Sequence, residues 1–251
     1  MSSASLDFGY PWWLTTGHLL LFVVLLCAAI AARTLHLSRW VIVPLLALSV
    51  WAGSVALLVH FFGINQVPTL PTQAFLSPGS GRVLDLGAGT GRSSIMVLAE
   101  RPQATLVASD LFGTSFAQHF GPGERPQDRL LANLKAAGVD DRATIDTADM
   151  LKLPYPDEAF DAVVSAYAMD HLGRNGARTA LAEAHRVLKP GGDFLLILVA
   201  NDGWAKLAFG PLLSHGGTYG AAWWRDAATQ AGFTVREGGA RPVTTYLLLT
   251  R

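Results

Sequence analysis

The stretch VLDLGAGTGRSS, residues 83–94, decides how this chain folds. An apolar run ends in an acid, Asp85, and three glycines follow at alternate positions, Gly87, Gly89 and Gly91. Glycine accepts backbone angles closed to other residues and lets a ligand approach where a Cβ would stand. The pattern reads as a strand turning sharply into a helix around a bound group. A dinucleotide fingerprint G-x-G-x-x-G counted from Gly87 needs glycine at position 92, which is Arg92, and no G-K-[ST] ending follows for a phosphate loop.

Working outward, apolar runs alternate with segments of helical period. Strands are expected at 82–87, 105–110, 143–148, 160–167, 192–199, 233–238 and 243–250, and helices at 92–100, 127–137, 176–188 and 221–231. Such alternation implies an α/β, doubly wound, seven-stranded sheet whose last two strands form an antiparallel hairpin. Ligands on such sheets sit at the carboxyl ends of the strands.

The N-terminal quarter differs. No charged side chain lies between Asp7 and Arg33, and residues 14–32 and 40–62 are nearly all apolar. Each run is long enough, at about 1.5 Å per residue, to cross a hydrocarbon layer of about 30 Å. The reading is an anchor of two antiparallel transmembrane helices over 1–63, a linker at 64–81 rich in Pro, Gly and Ser, and the α/β domain at 82–251. A cleavable signal peptide is the rival for the first run, although no Lys or Arg precedes it. Two buried helices of a soluble protein are the other rival. Arg33 and Arg39 in the connecting turn favour a cytoplasmic turn, whereas the group implied by the motifs described below favours the domain on the cytoplasmic side; the second argument is preferred.

Lys+Arg and Asp+Glu both number 19, so the formal charge is zero and the basic excess that holds nucleic acid is missing. With 51% hydrophobic and 15% charged residues the chain is too apolar for a disordered one. Its one cysteine, Cys27, rules out an intramolecular disulfide and a multi-cysteine metal site. No metal site is expected.

VLDLGAGTGRSS resembles motif I of the class I S-adenosylmethionine-dependent methyltransferases. Three further matches follow in order: TLVASD ending at Asp110, Ala148-Asp149-Met150 ahead of LPYPDEAFDAVVS, and RVLKPGGDFLLI. The resemblance implies that S-adenosyl-L-methionine is held by Asp85, Gly87, Ala88, Gly89, Thr90, Gly91, Asp110, Leu111, Ala148, Asp149, Met150 and Ser165. In it Asp110 takes the ribose hydroxyls and Asp149 the adenine. The two apolar runs together with the long insertion after the second strand are similar to a bacterial membrane-anchored group of these enzymes.

Acceptor-side candidates follow the fourth strand: Tyr167, Asp170 and His171, the last two as an Asp-His base, with helix capping and packing as the competing reading. His119, Trp204, His215 and Tyr219 lie in loops that could close the site, while Trp223 and Trp224 read as packing bulk. The expected activity is methyl transfer to a lipophilic small molecule or lipid headgroup at the bilayer surface, with no nucleic-acid partner. A soluble thiol, amine or metalloid acceptor, or a non-catalytic scaffold or cofactor sensor, stand as alternatives. Acceptor atom and oligomeric state are not legible.

Overall fold

The computed structural model describes residues 6–10, 12–61, 66–77, 79–113, 126–201, 203, 219–241 and 244–251. The chain divides into two units: residues 9–66, and an α/β unit made of residues 1–8 together with 67–251.

The first unit holds a short helix α1 (Trp12–Thr15), then α2 (Gly17–Thr34) and α3 (Arg39–Phe61). α2 ends in a Schellman turn: His36 N–H bonds Arg33 O, Leu37 N–H bonds Ala32 O, and His36 takes φ 54°. Ser38 then caps α3, its Oγ accepting the Trp40 N–H at 3.3 Å. Between these caps no residue is left over for anything but reversal. The two helices meet through small side chains. Ser49 Oγ donates to Phe22 O, and a Cβ on Gly53 would stand 2.9 Å from the Phe22 ring. Small residues of this kind let two helix backbones approach closely. Leu, Val and Trp side chains cover the rest of both helices and are exposed, among them Leu20, Val24, Ile30, Val43, Val50 and Leu57.

In the second unit β1 (Ser80–Leu86), α4 (Arg92–Glu100), β2 (Gln103–Asp110), α5 (Pro126–Ala136), β3 (Ala143–Thr147), β4 (Phe160–Ala166), α6 (Arg174–Val187), β5 (Leu188–Val199), α7 (Ala221–Gln230), β6 (Thr234–Arg241) and β7 (Thr244–Thr250) follow in order. The seven strands lie in the order β3-β2-β1-β4-β5-β7-β6. β1 to β5 pair in parallel, and β7 runs antiparallel to both neighbours. The strand order reverses between β1 and β4, so the crevice at a doubly wound sheet's switch point opens at the ends of these two strands. One face of the sheet packs Leu84, Leu86, Leu196, Leu198, Leu247 and Leu249, at two-residue spacing, against Leu181 and Trp224 of α6 and α7.

Helix and strand ends lie within a few residues of expectation. The segment 64–81 is expected as a linker. The α/β unit begins at Val67, and Leu70, Phe75 and Leu76 are buried in it. Arg101, itself buried, ties this stretch down by donating to Phe75 O at 2.9 Å and Gln73 O at 2.9 Å. Pro and Gly content marked the segment as irregular, but irregular backbone with its carbonyls satisfied packs as well as a helix.

Candidate cofactor and acceptor site

β1 delivers the chain into the turn Gly87–Gly91, and Gly87 and Gly91 each have their own reason. Gly87 takes φ 77°, and a Cβ there would collide with Ala168 after β4. Gly91, at φ 92°, faces Leu130 of α5, whose Cδ1 a Cβ would meet at 2.5 Å. Ser109 O accepts the N–H groups of both Gly87 and Ala88, at 2.8 and 3.0 Å, pinning the turn to the end of β2.

Asp85 and Asp110 stand at the ends of β1 and β2. The Asp110 carboxylate accepts the Gly89 N–H at 2.9 Å on Oδ2 and the Phe112 N–H at 3.0 Å on Oδ1. A carboxylate has about four acceptor positions, so each oxygen keeps one for a ligand. Asp85 is 0% exposed. Its Oδ2 accepts hydroxyls from Ser93 at 2.7 Å and Ser94 at 2.6 Å, in the first turn of α4, while Oδ1 has no partner. Burial pushes this carboxyl up to about 6, against the pull of the two serines and with a smaller push from the Asp110 charge. A buried acceptor with nothing to accept is costly, and a cationic donor entering the turn would relieve it.

Ala148 N–H bonds Asp110 O at 3.0 Å, which brings the β2 and β3 ends together. Asp149, exposed, caps its own turn by accepting the Leu151 N–H at 2.9 Å. Leu111 is 54% exposed beside Asp110, and Met150 approaches Gly87. Ser165 differs from expectation: it is fully buried and its hydroxyl donates to Leu86 O at 2.8 Å. It braces β4 against β1 beneath the turn, because its position in the strand places it on the inward face.

After β4, Tyr167 takes φ 56°, donates its N–H to Ile197 O and shares a hydrogen bond with Thr244 through its hydroxyl at 2.9 Å. A non-glycine residue at positive φ carries strain that the surrounding bonds must hold. Met169–His171 form a 3-10 turn. Asp170 is 3% exposed and accepts the Val199 N–H at 2.9 Å on Oδ2, while its Oδ1 has no partner; burial pushes its carboxyl up to about 7. His171 is exposed. The Asp-His pair read from the sequence is therefore not joined. Neighbours in a 3-10 turn point about 120° apart, so one turns inward and the other out.

Residues 84–196 match the family model for a methyltransferase domain. Over these residues the α/β unit is similar to methyltransferase domains. A demethylmenaquinone methyltransferase of Deinococcus radiodurans is 37% identical over 118 residues, 46% of this chain and 42% of that protein. A 27-O-demethylrifamycin SV methyltransferase of Amycolatopsis mediterranei is 34% identical over 121 residues, 46% of this chain and 39% of that one. The chain thus spans about two fifths of the length of these relatives. An O-methyltransferase family protein from Burkholderia thailandensis shares the fold, with TM-score 0.59 and 19% identity over 81% of this chain and 58% of that one.

Three features of the turn fit S-adenosylmethionine, the methyl donor that the resemblance of the motifs implies. Asp85 Oδ1 lacks a donor, the glycine turn leaves no side chain in the way, and the exposed Leu111 offers an apolar face next to a carboxylate with free acceptor positions.

Of the loop candidates, His119, Trp204 and His215 lie outside the described residues. Tyr219 is half-buried. It stacks on Trp223 with centroids 4.3 Å apart, and the Arg174 guanidinium lies 5.3 Å above its ring. Trp224 is wholly buried, as packing bulk, and Trp223 packs against the same core. Phe8 and Asn133, which bond Thr90 of the glycine turn, and Asp7, which pairs with Asn133, carry no motif and were not singled out by sequence reasoning; only proximity in the fold reveals them.

Proposed function

We propose that the protein is a membrane-anchored methyltransferase that moves a methyl group from S-adenosylmethionine to a lipophilic small molecule or lipid headgroup at the membrane surface. The observation that carries it is the character of α2 and α3. Their windows of mean hydropathy 2.0 and 2.3 are only 11% and 17% buried. Exposed to water, each buried-type Leu or Val side chain would forgo about 1.5 to 3 kcal/mol of transfer free energy, and here that loss would recur along both helices. A bilayer removes it. Trp12, Trp13 and Trp40, all exposed near the helix ends, suit the headgroup layer. Anchoring then raises the local concentration of an apolar acceptor without any added contact.

S-adenosylmethionine supplies a methyl group on a sulfonium centre that leaves by in-line displacement, so the protein's contribution is chiefly positioning and exclusion of water. Asp85 Oδ1 takes the ammonium of the cofactor's amino acid part. Asp110 takes the ribose hydroxyls with the acceptor positions left after Gly89 and Phe112, and Asp149 and Leu111 flank the adenine. Asp170, at the ends of β4 and β5, takes up the proton of an acceptor that must lose one, with Tyr167 and His171 lining the same mouth. The domain faces the cytoplasm, where the cofactor is made.

Labelled methyl donor supplied to the protein in membrane vesicles is expected to mark a species that partitions into organic solvent. Label appearing only on water-soluble thiols or amines would leave the anchor as mere location, and no label with intact binding would leave a sensor. Added protease is expected to spare residues 67–251 in sealed right-side-out vesicles; their digestion from outside would put the domain on the other face.

Asp110→Ala removes the ribose acceptors and frees the Gly89 N–H at once. Affinity for S-adenosylmethionine is expected to fall about 10- to 100-fold, the equivalent of about 1 to 3 kcal/mol. Calorimetry reads it, and unchanged affinity would remove Asp110 from the site.

A further inference from the structure

The residues ahead of the first apolar helix are bonded to the methyltransferase turn. Asn133 of α5, 2% exposed, pairs with Asp7 as one peptide pairs with another: its Oδ1 accepts the Asp7 N–H at 2.9 Å and its Nδ2 donates to Asp7 O at 2.8 Å. The same Nδ2 donates to Thr90 O at 2.9 Å. Thr90, buried inside the glycine turn, returns a bond from its Oγ1 to Phe8 O at 3.2 Å, and Phe8 is 1% exposed. Leu130, one helical turn before Asn133 on the same face of α5, is the residue that meets Gly91.

We propose that Asp7 and Phe8 are a working part of the cofactor site, held by Asn133 as a positioning residue that fixes Thr90 and with it the Gly87–Gly91 turn. This rests on the reading of that turn as the seat of S-adenosylmethionine. The physical reason is the shortage of other restraint. A turn with three glycines in five residues has the most backbone freedom to lose on ordering, and Asn133 and Phe8 hold it at the one non-glycine residue between Gly89 and Gly91. Removing one partner of a buried bond leaves the others unpaired, so the effect passes along the chain Asp7–Asn133–Thr90. The segment Gly9–Gln66 leaves the α/β unit at Phe8 and returns to it at Val67, so any crossing of a membrane between them is made an even number of times. Attachment and cofactor binding are thereby tied through one short segment.

The test uses the full chain in lipid nanodiscs, with calorimetry of S-adenosylmethionine binding and hydrogen exchange of residues 87–92 without ligand. Asn133→Ala, and separately removal of residues 2–8, are each expected to weaken binding about tenfold and to speed exchange in the turn. The two changes together are expected to do little more than either alone, since they break one chain of bonds. Thr90→Val, which removes the hydroxyl, is expected to lose affinity, and Thr90→Ser, which keeps it, to lose less than Thr90→Val. If Asn133→Ala does not fold, the shortened chain and Phe8→Ala decide, because neither alters the strands or helices of the domain. Unchanged exchange and affinity in the shortened chain would overturn the proposal, as would full additivity. Exchange that speeds in the variants while wild type binds no S-adenosylmethionine would instead overturn the reading of the turn and leave only a structural clamp.

Discussion

Asp85→Asn is expected to make the fold more stable at neutral pH and to lose most of its affinity for S-adenosylmethionine. Asp85 is fully buried, with one oxygen bonded to two serines and the other to nothing, and its carboxyl is raised from 3.8 to about 6. A raised acid weakens the fold as pH rises. Below about pH 4 both folded and unfolded chains hold the proton and nothing is lost. Between there and about pH 6 only the unfolded chain ionises, and the fold loses about 3 kcal/mol that it does not regain at higher pH. Asn mimics the protonated acid, so the variant is expected to recover most of that above pH 6 and to match wild type near pH 4. Thermal denaturation across pH checks it. An ammonium that loses its buried carboxylate partner forfeits a charged hydrogen bond, so affinity is expected to drop about 10²-fold. Near pH 6 wild type should also release a proton as the cofactor binds, and the variant should not; calorimetry in buffers of different ionisation enthalpy measures this. A variant that binds as wild type would take Asp85 out of the site.

The second large effect is expected at Asp170. A carboxyl at about 7, buried and with one oxygen unpartnered at the ends of β4 and β5, has the proton affinity a general base needs at neutral pH. Asp170→Asn keeps an acceptor for the Val199 N–H but cannot take a proton. Its kcat is expected to fall about 10²- to 10⁴-fold with cofactor affinity preserved. Wild-type rate should climb with pH through about 7, and that limb should vanish in the variant. The same substitution should raise stability, with the difference growing from about pH 4 and complete above about pH 7, where it reaches about 4 kcal/mol. His171→Ala is the control that separates the two neighbours. Loss of the limb there, with Asp170→Asn active, would make the exposed imidazole the base and Asp170 a brace for β5. A flat profile in all three would mean the acceptor arrives deprotonated and the residues of the mouth act by positioning.

β1, β2, β4, β5 and β7 were legible because each buries one face or both, whereas the edge strands β3 and β6 show only an alternation of half-buried and exposed residues. The turn was legible because only glycine serves at Gly87 and Gly91, where φ is positive and Ala168 and Leu130 leave no room. α2 and α3 were legible within three residues at either end, since apolarity on all sides of a helix has few causes. The tie of Phe75 to Arg101, 26 residues on, was not legible, because no pattern of residue types in the segment itself encodes it.

By itself the sequence determined the alternation of strands and helices, the two apolar helices, the glycine turn and the acids at the ends of β1 and β2, all of which depend on residues within one element or at its edge. Only the tertiary structure decided the pairing of those acids and of Asp170. Asp85 Oδ1 is an orphan because α4 offers hydroxyls to one oxygen alone, and Asp170 parts from His171 because a 3-10 turn sends one into the protein and the other out. The clamp of Asn133 on Asp7 joins residues 126 apart. Contacts at that range are set by where the sheet brings chain segments together, and no local pattern of residue types encodes them.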